Sequence, residues 1–169
     1  MAHWIARLLQ HRMVDERDAA RVLGTDALAR IEARVAASEK RHSGEIRVVV
    51  EAGLPLSYLR RHATARARAI ALFGKLGVWD TERNNGVLIY LLLAERAIEI
   101  VADRGLNRHV SPEEWAQIAA SMESDFQSRD FEGGLLRAVD AVDALLVRHF
   151  AAQPGDSDVN ELPDAPLLR

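Results

Sequence analysis

Cysteine is absent from the 169 residues, which removes disulfides, zinc ribbons and every thiol-nucleophile mechanism. Long apolar runs are absent too. The longest, Val87 to Ala94, falls far short of the roughly 20 residues that cross a bilayer. The opening stretch from Met1 to Arg12 contains no apolar core of signal-peptide length, so a soluble, cytoplasmic chain is expected. No excess of one charge sign exists: 22 Lys and Arg stand against 25 Asp and Glu, for a net charge of -3. A phosphate-binding domain is usually distinctly basic, and here acidic residues interleave with the arginines, as on solvated helix faces. No internal repeat appears, and no His-x-x-x-His pair occurs among the six histidines, which read as surface or cap residues. Asp-x-Asp-x-Thr nucleophile loops and phosphate-cradling glycine loops are also missing.

What remains is a chain of one-domain size with an ordinary apolar fraction of 49%, enough for a single core. The first forty residues read as helical, broken at Gly24. Thr25 is a plausible N-cap for a segment that puts Leu28, Ile31, Val35 and Ala36 on one face. Glu45 to Glu51 changes to a β-branched strand pattern. A helix is expected from Ser57 to Phe73, with Leu59, Ala63, Ala67, Ile70 and Phe73 near one stripe. Val87 to Leu93 is apolar throughout, the pattern of a strand covered on both faces. After a turn at Ala94-Glu95-Arg96, Ala97 to Ala102 should pair back antiparallel. Ser111-Pro112-Glu113-Glu114 is a capping box with proline at the first helical position, and a last helix carries Leu135, Val139, Val142, Leu145 and Leu146. Strands interleaved with helices imply a layered α/β or α+β sandwich with a mixed sheet. The expected organisation is a helical N-terminal extension over 1–43 packing on the domain, the sandwich over 44–150 and a disordered tail over 151–169. Only Leu162, Leu167 and Leu168 give that tail apolar groups that could dock in a groove.

One loop carries the candidate chemistry. In Trp79-Asp80-Thr81-Glu82-Arg83-Asn84-Asn85-Gly86, oxygen-bearing side chains at Asp80, Glu82 and Asn84 stand on alternate residues, a spacing that lets them converge on a hard cation. An EF-hand is excluded, because Gly86 comes one position late and the twelfth position is Leu91. Asp103 is the best further ligand, since antiparallel pairing brings the end of one strand beside the start of the other. The competing reading is purely structural: Asp80 and Thr81 cap a turn, Asn85-Gly86 supply positive φ, and Arg83 and Arg104 neutralise the carboxylates.

The Gly44-Glu45-Ile46 strand start, the Leu72-Phe73 helix end and Asn85-Gly86-Val87-Leu88-Ile89 together resemble the TPM domain family. So do Glu99-Ile100-Val101-Ala102-Asp103-Arg104-Gly105-Leu106, Trp115, Ile118, Phe126 and Asp130-Phe131-Glu132-Gly133-Gly134-Leu135. The match runs in order from about Gly44 to Leu146. This family includes a thylakoid-lumen protein linked to photosystem II repair and a nematode modulator of acetylcholine receptors. The resemblance implies a three-layer α/β/α sandwich around a small central sheet. It also implies Ca2+ or Mg2+ binding at acidic loops on one sheet edge, with no organic cofactor, and acid phosphatase activity in a plant member. Many bacterial relatives are exported, membrane-anchored companions of LemA-type membrane proteins; this chain departs from them in lacking export signal and anchor. The function expected is a non-catalytic binding module of a cytoplasmic bacterial protein. Its partner would be another protein, LemA-type or otherwise membrane-associated, with a cation held by Asp80, Glu82, Asn84 and Asp103. The alternative is a weak, broad metal-assisted phosphatase, with Asp80 or Asp103 as ligand and Arg104 steadying the phosphoryl oxygens.

Overall fold

The computed structural model describes residues 2–14, 16–153 and 160–169. Its centre is a four-stranded sheet in the order β3-β2-β1-β4. Strands β1 (Ile46–Glu51) and β2 (Val87–Leu92) are parallel, with Ile46 opposite Val87 and Val50 opposite Leu91. β3 (Ala97–Ala102) pairs antiparallel with β2, Ile89 facing Ile100. The unbroken apolar run of β2 therefore has the predicted place, and Val87, Leu88, Ile89, Tyr90, Leu91 and Leu92 are all fully buried.

Alternation along the strands sends successive side chains to opposite faces. Val48, Val50, Ile89 and Leu91 join a larger core on one face, and Val49, Leu88, Tyr90 and Leu92 a smaller one on the other. Helices close both faces, which makes the fold the expected three-layer α/β sandwich with a mixed sheet.

On the larger face, helix α2 (Glu16–Glu39) packs along α8 (Phe131–Phe150). Gly24 interrupts α2 at φ 74, ψ 160, where the sequence pattern breaks. Beyond the break Ala27, Ile31 and Val35 are buried in the main core, so α2 forms part of the helical layer on the larger face. Trp115 and the half-buried Ile118 of α6 (Pro112–Ser121) complete this face; Ser111 Oγ accepts from the Glu114 N–H at 3.2 Å, as the capping box requires. α8 starts on Asp130, whose Oδ1 accepts from Gly133 N–H at 3.0 Å. Short helices α5 (Arg104–Asn107) and α7 (Glu123–Gln127) bridge between these elements.

The smaller face departs from the expected single helix. A short α3 (Leu56–Arg60) is followed by His62 at φ 53, and α4 (Ala65–Lys75) begins afresh with Thr64 Oγ1 accepting from Ala67 N–H. That new start resets the helical phase: Ala65, Arg68, Ala69 and Leu72 face inward, while Ile70 is 53% exposed.

The first helix, α1 (Ala2–Arg12), is tied to the sheet by polar contacts. Buried His11 accepts from Leu54 N–H at Nδ1 and meets Glu95 Oε1 at 2.9 Å, and Arg7 Nε reaches the same oxygen at 2.8 Å. His42 is likewise buried, between Ser38 Oγ and Gly44 N–H. Both correct the reading of the histidines as surface or cap residues. Each has its ring nitrogens satisfied, which sequence spacing cannot show.

The largest correction concerns the tail. Residues 154–159 lie outside the described residues, but 160–169 are docked. β4 (Leu167–Leu168) runs parallel to β1, Val49 opposite Leu167, and Leu162 is buried. At the other side of the sheet, β3 has no further strand among the described residues. Its Ile100 carbonyl instead accepts from Arg66 Nη1, and its Ala102 carbonyl from Asn107 Nδ2 at 2.9 Å.

Candidate functional site

The loop from Trp79 to Gly86 leads from the end of α4 into β2, and its backbone is locked against the turn that follows β3. Asp103 N–H donates to Gly86 O and Gly105 N–H to Asn84 O, each at 2.9 Å. Both glycines are demanded by this close approach: a side chain on Gly86 would collide with the Val78 carbonyl, and one on Gly105 with that of Asn84. The positive φ sits on Asn84, at 53°, not on the Asn85-Gly86 pair as the turn reading had it.

Asn85 is fully buried and acts as the knot of the loop. Its N–H donates to Thr81 Oγ1 at 3.1 Å, and its Nδ2 donates to Ser43 O at 3.0 Å. Trp79 is 53% exposed, with Nε1 donating to Gly74 O, and so is not a core residue.

Of the four candidate ligands, the structure brings two together. Asn84 Oδ1 accepts from Arg104 Nε at 2.8 Å. Asp103 is 8% exposed; its Oδ1 accepts from Arg104 N–H at 2.6 Å, and its Oδ2 is buried without a partner. A buried carboxylate oxygen with no donor is costly, so this oxygen is the unfulfilled group of the site. Asp80 and Glu82 are exposed. Among the described residues, no group of three or more His, Asp or Glu stands close enough to hold a metal ion. The donors fit a hard cation in kind, since all are oxygens, but they do not form a preassembled cage.

Sequence reasoning missed the acidic shelf beside this loop. Glu82 N–H donates to Glu161 Oε1 and Oε2 at 3.1 and 3.3 Å. Glu45 is buried, and its two carboxylate oxygens accept from Glu161 and Leu162 N–H at 3.2 and 3.1 Å. Burial pushes the Glu45 carboxyl up, against the pull of those two N–H groups. Half-buried Glu39 is pushed up to about 8, chiefly by burial, opposed by the Ile46 N–H at 3.0 Å and reinforced by Glu45 and Asp164. The available signal was a charged pair, Glu45 and Arg47, flanking Ile46 just ahead of the Val48-Val49-Val50 run.

A second polar centre lies at the opposite end of β1. Buried Glu51 accepts from Arg68 Nε at 2.8 Å, from Arg68 Nη2 at 2.5 Å and from Tyr90 OH at 2.7 Å. The Arg68 guanidinium also stacks 4.9 Å from the Tyr58 ring centroid. Burial, and the Glu51 charge after it, pushes the Tyr90 phenol far up; the Glu51 hydrogen bond does the same to Arg68. Each of these groups has a hydrogen-bond partner within the sandwich, and Arg169 of the terminal segment comes within 3.8 Å of Glu51 Oε1.

A mixed sheet between two helical layers, with an oxygen-bearing loop clamped at one strand end, defines a small three-layer α/β sandwich. The chain belongs to the TPM domain family, whose model matches residues 17–145 and thus includes α2. It is similar to the BA42 protein of the psychrophilic bacterium Bizionia argentinensis, known by NMR, at 26% identity and a TM-score of 0.73. That likeness covers 85% of this chain and 93% of that one. The N-terminal domain of a P. gingivalis protein shares the fold at 22% identity and a TM-score of 0.64, over 80% and 85% of the two chains. No curated protein matches the chain.

Proposed function

We propose that the chain is a non-catalytic binding module that takes a divalent cation, Ca2+ or Mg2+, at the loop edge and presents its surface to a protein partner. The observation that carries this reading is the buried, partnerless Asp103 Oδ2 beside a loop whose exposed carboxylates, Asp80 and Glu82, are free of the core. A cation would draw them toward Asp103 and the Asn84 carbonyl oxygen. Binding would order the loop, not complete a rigid cage. Exposed Ile5 and Leu9, which share one face of α1, together with exposed Met13 and Val22, support a protein partner. That partner is LemA-type or otherwise membrane-associated, and the module acts in the cytoplasm; no described helix is long and apolar enough to cross a membrane itself. The phosphatase alternative needs a metal-activated water as nucleophile, and among the described residues no group of three or more His, Asp or Glu stands close enough to hold that metal. The geometry favours binding.

A thermal-shift titration tests this. Calcium bound only by the folded chain raises the melting temperature in a concentration-dependent way. Asp80→Asn should remove most of that shift without altering the fold, because Asp80 is exposed. A wild-type response that stays flat up to millimolar calcium and magnesium defeats the cation reading.

A further inference from the structure

The docking of residues 160–169 follows an unusual division of labour. Two charged side chains of the sandwich, both less than a tenth exposed, read the backbone of that segment. Glu45 accepts from the N–H groups of Glu161 and Leu162, while Arg47 Nη1 donates to the carbonyls of Pro163 and Ala165 at 2.7 and 2.5 Å. Beyond them β1 continues the same recognition as a strand edge: Arg169 N–H donates to Val50 O at 3.0 Å and Ala52 N–H to Arg169 O at 2.8 Å. Side chains contribute at defined places. Leu162 is buried, Leu167 packs on the smaller core and Leu168 on the larger one. Glu161 reaches across to the Glu82 N–H of the candidate loop.

We propose that the outer edge of β1 is a peptide-binding groove, closed in cis by residues 160–169. In trans it takes an extended partner segment of the pattern acidic–Leu–Pro–x–x–Pro–Leu–Leu, added as a parallel strand. Backbone contacts of this kind are indifferent to which chain supplies them, and strand addition gains affinity from the main chain and specificity from alternate side chains. The two prolines hold the segment extended before it binds, which lowers the ordering cost. The acidic residue at the first position matches the Glu82 N–H, the Leu after it the buried Leu162 site, and the last two Leu the flanks of β1. Arg47 and Glu45 accept any backbone between. The cis segment competes at high effective concentration, so a partner gains the groove when that segment is weakened or when the partner is itself held nearby. This inference does not rest on the cation reading; the two share Glu82, whose backbone N–H serves here and whose side chain serves there.

The test uses the full chain. Leu162→Asp places a charge in the buried site of the cis segment while leaving the sandwich untouched. Hydrogen exchange at the Leu167 to Arg169 amides reports release, and Leu162→Asp/Leu168→Asp is used if the single change leaves them protected. A fluorescent peptide, NELPDAPLLR, should then bind the released chain about tenfold tighter or more than it binds wild type, the cis competitor being gone. Adding Arg47→Met to the released chain should reverse that gain, and a scrambled peptide should not bind. Failure of the released chain to bind the peptide, or equal binding of the scrambled one, overturns the proposal. A concentration-dependent wild-type dimer that Leu162→Asp abolishes would assign the groove to a second copy and overturn the separate partner.

Discussion

Strand β1 carries charge at both ends, and the two ends resolve it differently. At Glu51 the carboxylate is enclosed with Arg68 and Tyr90 of the sandwich by direct hydrogen bonds, and Arg169 of the terminal segment adds only a longer ion pair at 3.8 Å. At Glu45 and Arg47 the partners come from residues 161 to 165, reached through a segment joined only by 154–159. Burial alone does not separate the two, because all four charged residues are less than 9% exposed. What separates them is where the main partner sits in the chain. At Glu51 the direct hydrogen bonds come from within the sandwich, whereas Glu45 and Arg47 are satisfied by the backbone of the C-terminal segment, the difference on which the proposed peptide groove rests.

The largest effect that would test this contrast comes from Glu51→Gln. It leaves Arg68 buried without its countercharge, and loss of one member of a buried pair costs about 3–5 kcal/mol. Urea unfolding should show that loss across the whole cooperative transition, with calcium response and peptide binding intact in what remains folded. If Glu51→Gln instead loosened only residues 160–169, the two ends of β1 would not differ in kind.

Arg47→Met should do the opposite. It removes two charge-assisted bonds to carbonyls, at a cost of roughly 1.5–3 kcal/mol. That cost should fall on local opening: faster exchange at Leu167, Leu168 and Arg169, with the β2 amides unchanged. A global loss equal to that of Glu51→Gln would make Arg47 a core residue like the others.

The remaining effect is one of pH. Glu39 has a folded pKa raised to about 8 above the ordinary carboxyl value of 4.5. A raised acid binds more protons folded than unfolded, so its contribution is fully present below pH 4.5 and is lost as pH rises through 8. Glu39→Gln keeps an acceptor for Ile46 N–H and removes the titration. Its melting temperature should therefore fall less than that of wild type between pH 6 and 9, with the difference concentrated in protection of residues 160–169. An identical pH profile for both chains would remove Glu39 from the acidic shelf.

The sandwich was legible wherever pattern and packing agree. β2 announced itself because a strand buried on both faces needs an apolar residue at every position, and α6 because its cap and proline fix a start. The helix over 57–73 was misread because Ala and Arg suit a continuous helix, and only the Thr64 cap, a single hydrogen bond, shifts the phase that exposes Ile70. The candidate loop was legible as a place but not as a geometry: alternate oxygens predicted convergence, while the close backbone approach through Gly86 and Gly105 engages Asn84 and Asp103 first. Residues 160–169 left no periodic signal because they are held by their main chain, and main-chain recognition is silent in sequence.

The treatment of the two sheet margins has a consequence for how this protein behaves in a crowded solution. Outside β3, Arg66 and Asn107 occupy the outward carbonyls of Ile100 and Ala102, which dulls that margin against pairing with another chain. Along β1 the margin is Ile46, Arg47, Val48, Val49, Val50 and Glu51, and its cover is residues 160–169, which Arg47 itself holds in place. Whenever that cover lifts, a short valine-rich template for intermolecular stacking is uncovered. In its docked place the segment fills the outer edge of β1, so that both margins of the sheet are closed to pairing by groups of the chain itself.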